Sequence, residues 1–194
     1  MRQGFVIATF TAGLCATTAG IAASSAAKHA HRSQCEAPSR LAQPEPSASA
    51  AMQARVLRTH NAERARLRLP PFAWSCRLQN EAKAWALALS RRGALQHASA
   101  EHRRGSGENL WMGTSGHWSI EDMVAMFLDE RRHYRHGRFP DVSHTGNWTD
   151  VGHYSQIIWR ETREVGCAIA QGEEQEVLVC RYFPAGNIRG RKAY

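Results

Sequence analysis

The sequence predicts an α+β domain. Three stretches carry apolar residues at helical spacing, and all of them precede the one clear pair of strand-like runs. Helices first and strands last is the order of a layered α+β domain, not the alternation of a nucleotide-binding βαβ chain. A chain of 194 residues, 43% of them hydrophobic and with six tryptophans, suits one packed domain with additional terminal sequence.

From the N-terminus, Arg2 and the uncharged apolar run "FVIATFTAGLCATTAGIAA", followed by small residues, read as an export signal over 1–27. Cleavage after Ala27 places Ser25 and Ala27 at the small-residue positions; cleavage after Ala23 or Ala26, or retention as a membrane anchor, are the alternatives. Leu14 before Cys15 is too large for a lipoprotein signal. Residues 28–49, with three prolines and few large apolar side chains, form a linker, and the domain spans 50–194.

The first helix lies in "AAMQARVLRTHNAERARLRL", with Met52, Val56 and Leu57 on its apolar face and Pro70-Pro71 ending it. In the second, Leu78, Ala82, Trp85 and Leu89 form the stripe, Ser75 stands at the N-cap and Gly93 at the stop. The third begins with Ser119 and Asp122 spaced as a capping box and carries Met123, Met126, Phe127 and Tyr134 on its stripe. A short fourth helix starts at His153, since Tyr154, Ile157 and Ile158 repeat at helical spacing.

If the signal is removed, Cys35, Cys76, Cys167 and Cys180 remain, which in an exported chain predicts two disulfides. "VGCAIA" and "VLVC" read as strands and "QGEEQ" as the turn between them. Folding that hairpin about Glu173-Glu174 sets Cys167 opposite Cys180, and Cys35–Cys76 follows by elimination.

The formal charge of +8 is carried almost wholly by arginine. Without a dense basic block or interleaved aromatics, it predicts no specific nucleic-acid site, but peripheral contact with anionic surfaces.

Four side chains stand out. Glu130 falls on the third helix's apolar stripe, where a buried carboxylate needs a partner; the alternative is a boundary glutamate reaching water. His97 follows the Gly93 stop, Glu108 sits in "GSGENLWMG", and His153 lies between Gly152 and Tyr154. Singly, each reads as structural. No HExxH helix, G-x-S-x-G elbow or phosphate-binding glycine loop is present.

"GHYSQIIWRET" and "VCRYFPAGNIRG" resemble the two signature motifs of the CAP superfamily, the cysteine-rich secretory, antigen 5 and pathogenesis-related proteins, also called SCP domains. "HNAER", "LQHAS" and "GENLWMG" match further family segments in order, over about 52–189, and the whole looks most like the bacterial secreted branch. The resemblance implies a three-layer α-β-α sandwich with an open cleft lined by His97, Glu108, Glu130 and His153. It implies a secreted, extracellular or periplasmic protein, monomeric, that binds a small hydrophobic (lipid- or sterol-like) ligand or a cell-envelope component, or serves in defence. A divalent metal such as zinc would sit on His97 and His153, with the glutamates ligating through water or orienting the rings. The alternative is a metal-assisted hydrolase or peptidase using Glu108 or Glu130 as base.

Overall fold

The computed structural model describes residues 48–194. The predicted signal, most of the linker, and Cys35 lie outside the described residues. Helix α1 (Ala48–Arg66) leads into the two-residue strand β1 (Ala73–Trp74), helix α2 (Cys76–Arg92) and the one-turn helix α3 (Ala100–Arg103). Strand β2 (Gly107–Thr114), helix α4 (Ile120–Asp129), helix α5 (Gly152–Ile157), and strands β3 (Glu164–Gln171) and β4 (Gln175–Phe183) complete the order. Two 3-10 turns, Glu130–His133 and Trp148–Val151, join α4 to α5.

The strands form one sheet in the order β1-β3-β4-β2. β1 runs parallel to β3, and the other neighbours are antiparallel. Both faces are covered, as expected of a three-layer α-β-α sandwich. On one face, Leu178, Cys180 and Tyr182 of β4 pack with Val56 of α1, Met123 and Phe127 of α4, and Ile157 of α5. On the other, Val177 and Val179 meet Ala82, Ala86 and Leu89 of α2. Because successive side chains face opposite layers, β4 is buried almost without interruption.

Helix α2 shows how the layers close. Its buried stripe is Leu78, Ala82, Ala86 and Leu89. Trp85, expected on that stripe, is half-exposed and donates its indole N–H to Gln96 O (3.0 Å). Ala82 and Ala86 let the helix approach the sheet, and Gly166 makes this closer still: a Cβ there would lie 2.3 Å from Gln79 N and 2.6 Å from Ser75 O. Gly93 ends the helix in the left-handed region (φ 65°), while Ser75 occupies the N-cap without a side-chain cap bond.

The capping box of α4 is present in full. The helix, however, stops at Asp129, and the chain tightens into a 3-10 turn. Glu130 therefore lies at the helix end rather than along its stripe, Tyr134 is extended, and Met126 is exposed.

The hairpin sets Cys167 opposite Cys180, and the two form a buried disulfide with a sequence separation of 13. A loop of that size contributes about 3 kcal/mol by restricting the unfolded chain. Cys76 is disulfide-bonded as well.

The buried face of α1 is largely polar. Arg64 is fully buried and donates to four carbonyls, those of Pro70 (2.7 Å), Ile157 (2.8 Å), Trp159 (2.9 Å) and Thr162 (3.1 Å). Its guanidinium also lies 4.0 Å from the Phe72 ring centroid. Burial pulls its pKa down to about 10. Glu63 accepts from Tyr154 Oη (2.7 Å), Arg66 (2.7 Å) and Arg131 (3.3 Å), tying α1 to α5 and the 3-10 turn.

Candidate functional site

β2 is an edge strand, and its neighbouring side chains Glu108 and Asn109 face opposite layers. Glu108 sits opposite Arg181 of β4 and is fully enclosed. Its Oε1 accepts from His97 Nδ1 (2.7 Å) and from Ala98 N (3.0 Å), which pins the loop after α2 against the strand. Its Oε2 lies 3.0 Å from Arg181 Nη2, an ion pair without hydrogen-bond alignment. Burial pulls the Arg181 guanidinium below its ordinary pKa, and Glu108 opposes that shift.

On the other side of the edge, the second pair is built around a helix terminus. α5 has no side-chain N-cap of its own. Glu130 supplies one from the end of α4: its Oε2 accepts from His153 N (2.9 Å) and Tyr154 N (3.0 Å), and its Oε1 meets His153 Nδ1 at 2.5 Å. These are orphan donors of a first helical turn, where the dipole also favours a carboxylate. The His153 ring stacks on Phe127 with centroids 4.7 Å apart. Asn109 Nδ2 donates to His153 O (3.1 Å) and to Tyr182 Oη (3.2 Å), so β2 touches both pairs.

His97, Glu108 and His153 line one cavity of about 500 Å³, and Glu130 stands behind His153. Phe139 and Trp148 form its apolar wall. Two lining amides missed in the sequence, Gln156 and Asn187, hold the floor. Gln156 donates to Thr162 Oγ1 (3.2 Å) and accepts from Gly186 N (2.8 Å). Asn187 binds Gly152 O (2.8 Å) and Ser155 Oγ (2.7 Å). Gly107 leaves room for Gln156: a Cβ there would lie 1.9 Å from Gln156 Oε1. Gln156 stands three residues after His153 on α5, a spacing that could have revealed it. Nothing in the sequence set Arg181 apart from an ordinary solvent-facing strand residue.

Each imidazole engages a carboxylate through Nδ1, which leaves Nε2 for a ligand. Both carboxylates have their oxygens occupied by ring, backbone or guanidinium partners. The arrangement orients two imidazoles, with glutamates as outer supports rather than free donors. Among the described residues, no group of three or more His, Cys, Asp or Glu side chains is placed to hold a metal, so two imidazoles are what this cleft offers one.

The model of the CAP cysteine-rich secretory protein family matches residues 57–182. The chain belongs to the CAP family. This CAP domain is 31% identical to the maize (Zea mays) pathogenesis-related protein PRMS over 141 residues, covering 71% of this chain and 80% of that protein. It is 32% identical to tobacco (Nicotiana tabacum) pathogenesis-related protein 1A over 139 residues, covering 71% and 78%. Among solved structures, NaASP2 crystallised with Zn2+ superposes with a TM-score of 0.63 at 21% identity, covering 77% of this chain and 88% of that one. BmVAL-1 superposes at 0.60 and 24%, covering 79% and 86%. At these identities the structural likeness concerns the fold. The fold is that of CAP domains, as the motifs implied.

Proposed function

We propose that this CAP domain is a secreted binding module whose cleft takes a small ligand at the Nε2 atoms of His97 and His153. The observation that carries the reading is that both imidazoles line one cavity while a glutamate holds each Nδ1. A cavity of about 500 Å³ falls within the range that takes small molecules. Its Phe139–Trp148 wall suits an apolar, lipid- or sterol-like body, with a polar end at the imidazoles.

In donor chemistry, two neutral imidazoles suit a divalent ion such as zinc, with Glu108 and Glu130 orienting the rings from behind. The Zn2+ in the NaASP2 crystal structure supports the idea by analogy. When bound, such an ion would polarise a coordinated oxygen of the ligand or of water. The chain's own contribution is to fix the imidazole tautomers and hold the rings still. Hydrolysis with Glu108 or Glu130 as base is less well supported, because Glu130 has both oxygens on His153 and the α5 backbone and Glu108 is enclosed in an ion pair with Arg181.

Zinc titration by calorimetry on untagged protein tests this. We expect saturable binding that weakens as pH falls, since only neutral imidazole ligates. His97→Ala and His153→Ala should each abolish it without unfolding the domain. Binding retained in both variants would remove the cleft from the reading.

A further inference from the structure

The segment after Asn187 is stitched between two others. Gly190 N donates to Phe139 O (2.7 Å), Phe139 N to Arg191 O (2.8 Å), and Arg160 N to Ala193 O (2.6 Å). Tyr194 stands edge-on to His136 with centroids 5.0 Å apart, and Ala193 is buried. This pairing sets Arg138 directly opposite Lys192 in an antiparallel bridge. Like charges facing each other across a bridge repel.

Among the described residues, neither has a carboxylate within ion-pair distance. The ion pairs of this region are Arg135 with Asp141 and Arg191 with Glu161. Asp150 is held by Thr145 and Asn147 within its own loop. Arg138, Arg160, Arg189 and Lys192 are left without a carboxylate partner among the described residues, Arg138 donating to Gly190 O (2.7 Å). Beside these cations stand two large apolar side chains open to water, Trp148 (43% exposed) and Ile188 (40% exposed). Trp148 packs edge-on against Phe139, the neighbour of Arg138, and Ile188 precedes Arg189.

We propose that this face docks on an anionic phospholipid surface, with Arg138, Arg160, Arg189 and Lys192 at the headgroup phosphates and Trp148 and Ile188 in the interfacial layer. A soluble polyanion would engage the cations alone. A bilayer interface accommodates both the cations and the exposed tryptophan and isoleucine. The contact is peripheral, since no described helix is long and apolar enough to cross a membrane. It is independent of whether the cleft binds zinc. Trp148 also borders the cleft, so the arm that replaces Arg138 and Lys192, neither of which lines the cleft, separates docking from ligand uptake.

Sedimentation with phosphatidylcholine–phosphatidylglycerol vesicles, relative to pure phosphatidylcholine vesicles, is the test. The ratio between the two cancels any apolar attachment contributed elsewhere in the chain. Replacing both Arg138 and Lys192 by Ser should lower the ratio by about twentyfold or more, at about fivefold per charge. Replacing Arg91 and Arg92 by Ser, at the far end of α2, removes equal charge and should leave the ratio near wild type. The Trp148→Ser/Ile188→Ser double variant should weaken binding to the anionic vesicles while leaving its salt dependence in place. An equal loss in the Arg91/Arg92 control would reduce the effect to net charge. Unchanged binding on loss of Trp148 and Ile188 would mark adsorption of any polyanion. Either result overturns the proposal.

Discussion

Acidification should destabilise this domain through one fully buried side chain that does not line the cleft. His60 is fully buried on α1, with Nδ1 2.9 Å from Val56 O and Nε2 2.9 Å from Tyr182 Oη. A carbonyl only accepts, so Nδ1 carries the proton and Tyr182 donates to Nε2. Tyr182 in turn accepts from Asn109 Nδ2, so the chain of bonds is consistent only with a neutral ring. Desolvation lowers the His60 pKa from 6.5 to about 4, with nearby Arg64 adding to the shift and the Val56 carbonyl opposing it. The folded state therefore binds this proton later than the unfolded state does. Above pH 6.5 His60 leaves stability unchanged; between 6.5 and about 4 stability falls, and below that the loss is complete. At 1.36 kcal/mol per pKa unit, the loss is about 2 kcal/mol near pH 5 and about 3 kcal/mol once both states are protonated. Urea unfolding at pH 7.5 and 5, in wild type and in His60→Gln, isolates this contribution because every other titrating group is shared. Wild type should lose about 2 kcal/mol more than the variant over that interval. An equal loss in both proteins, or a ring that titrates near 6.5 by NMR, would refute the reasoning.

Three other outcomes follow from the packing. Glu130→Ala removes the cap of α5 and the support of His153; it should cost about 1–2 kcal/mol in urea unfolding and weaken zinc by about 10–100-fold in calorimetry. Gly107→Ala drives a methyl into Gln156, which its own bonds hold in place; we expect a loss of about 1–3 kcal/mol together with altered zinc affinity. Arg64→Lys leaves carbonyls that a single ammonium cannot all reach, and should lower stability by about 3 kcal/mol, again measured in urea.

What the sequence disclosed depended on whether a local pattern carried the information. α2, α4 and the hairpin were readable because apolar spacing, a capping box and a strand–turn–strand run are local. β2 was not, because "ENLWM" is buried on both faces and shows no alternation to mark a strand. The polar face of α1 hid the burial of His60, Glu63 and Arg64, whose partners lie on distant segments. Glu130 was placed on a helical stripe because nothing in "LDERRH" announces the 3-10 turn that redirects it. The four cleft residues came from resemblance to a family, since each pair joins segments that only the fold brings together. The buried partner of Glu108, Arg181, was hidden for the same reason.

The cleft straddles the free edge of the sheet. His97 is fixed to the layer of α2 through Glu108, and His153 to the opposite layer through Glu130. A ligand that grips both rings would act as a rivet through two plates otherwise joined by the sheet between them. Its affinity would then be readable in the mechanics of the whole domain. Hydrogen exchange should slow together in the loop after α2 and in the first turn of α5, by a factor that tracks ligand concentration over its dissociation constant.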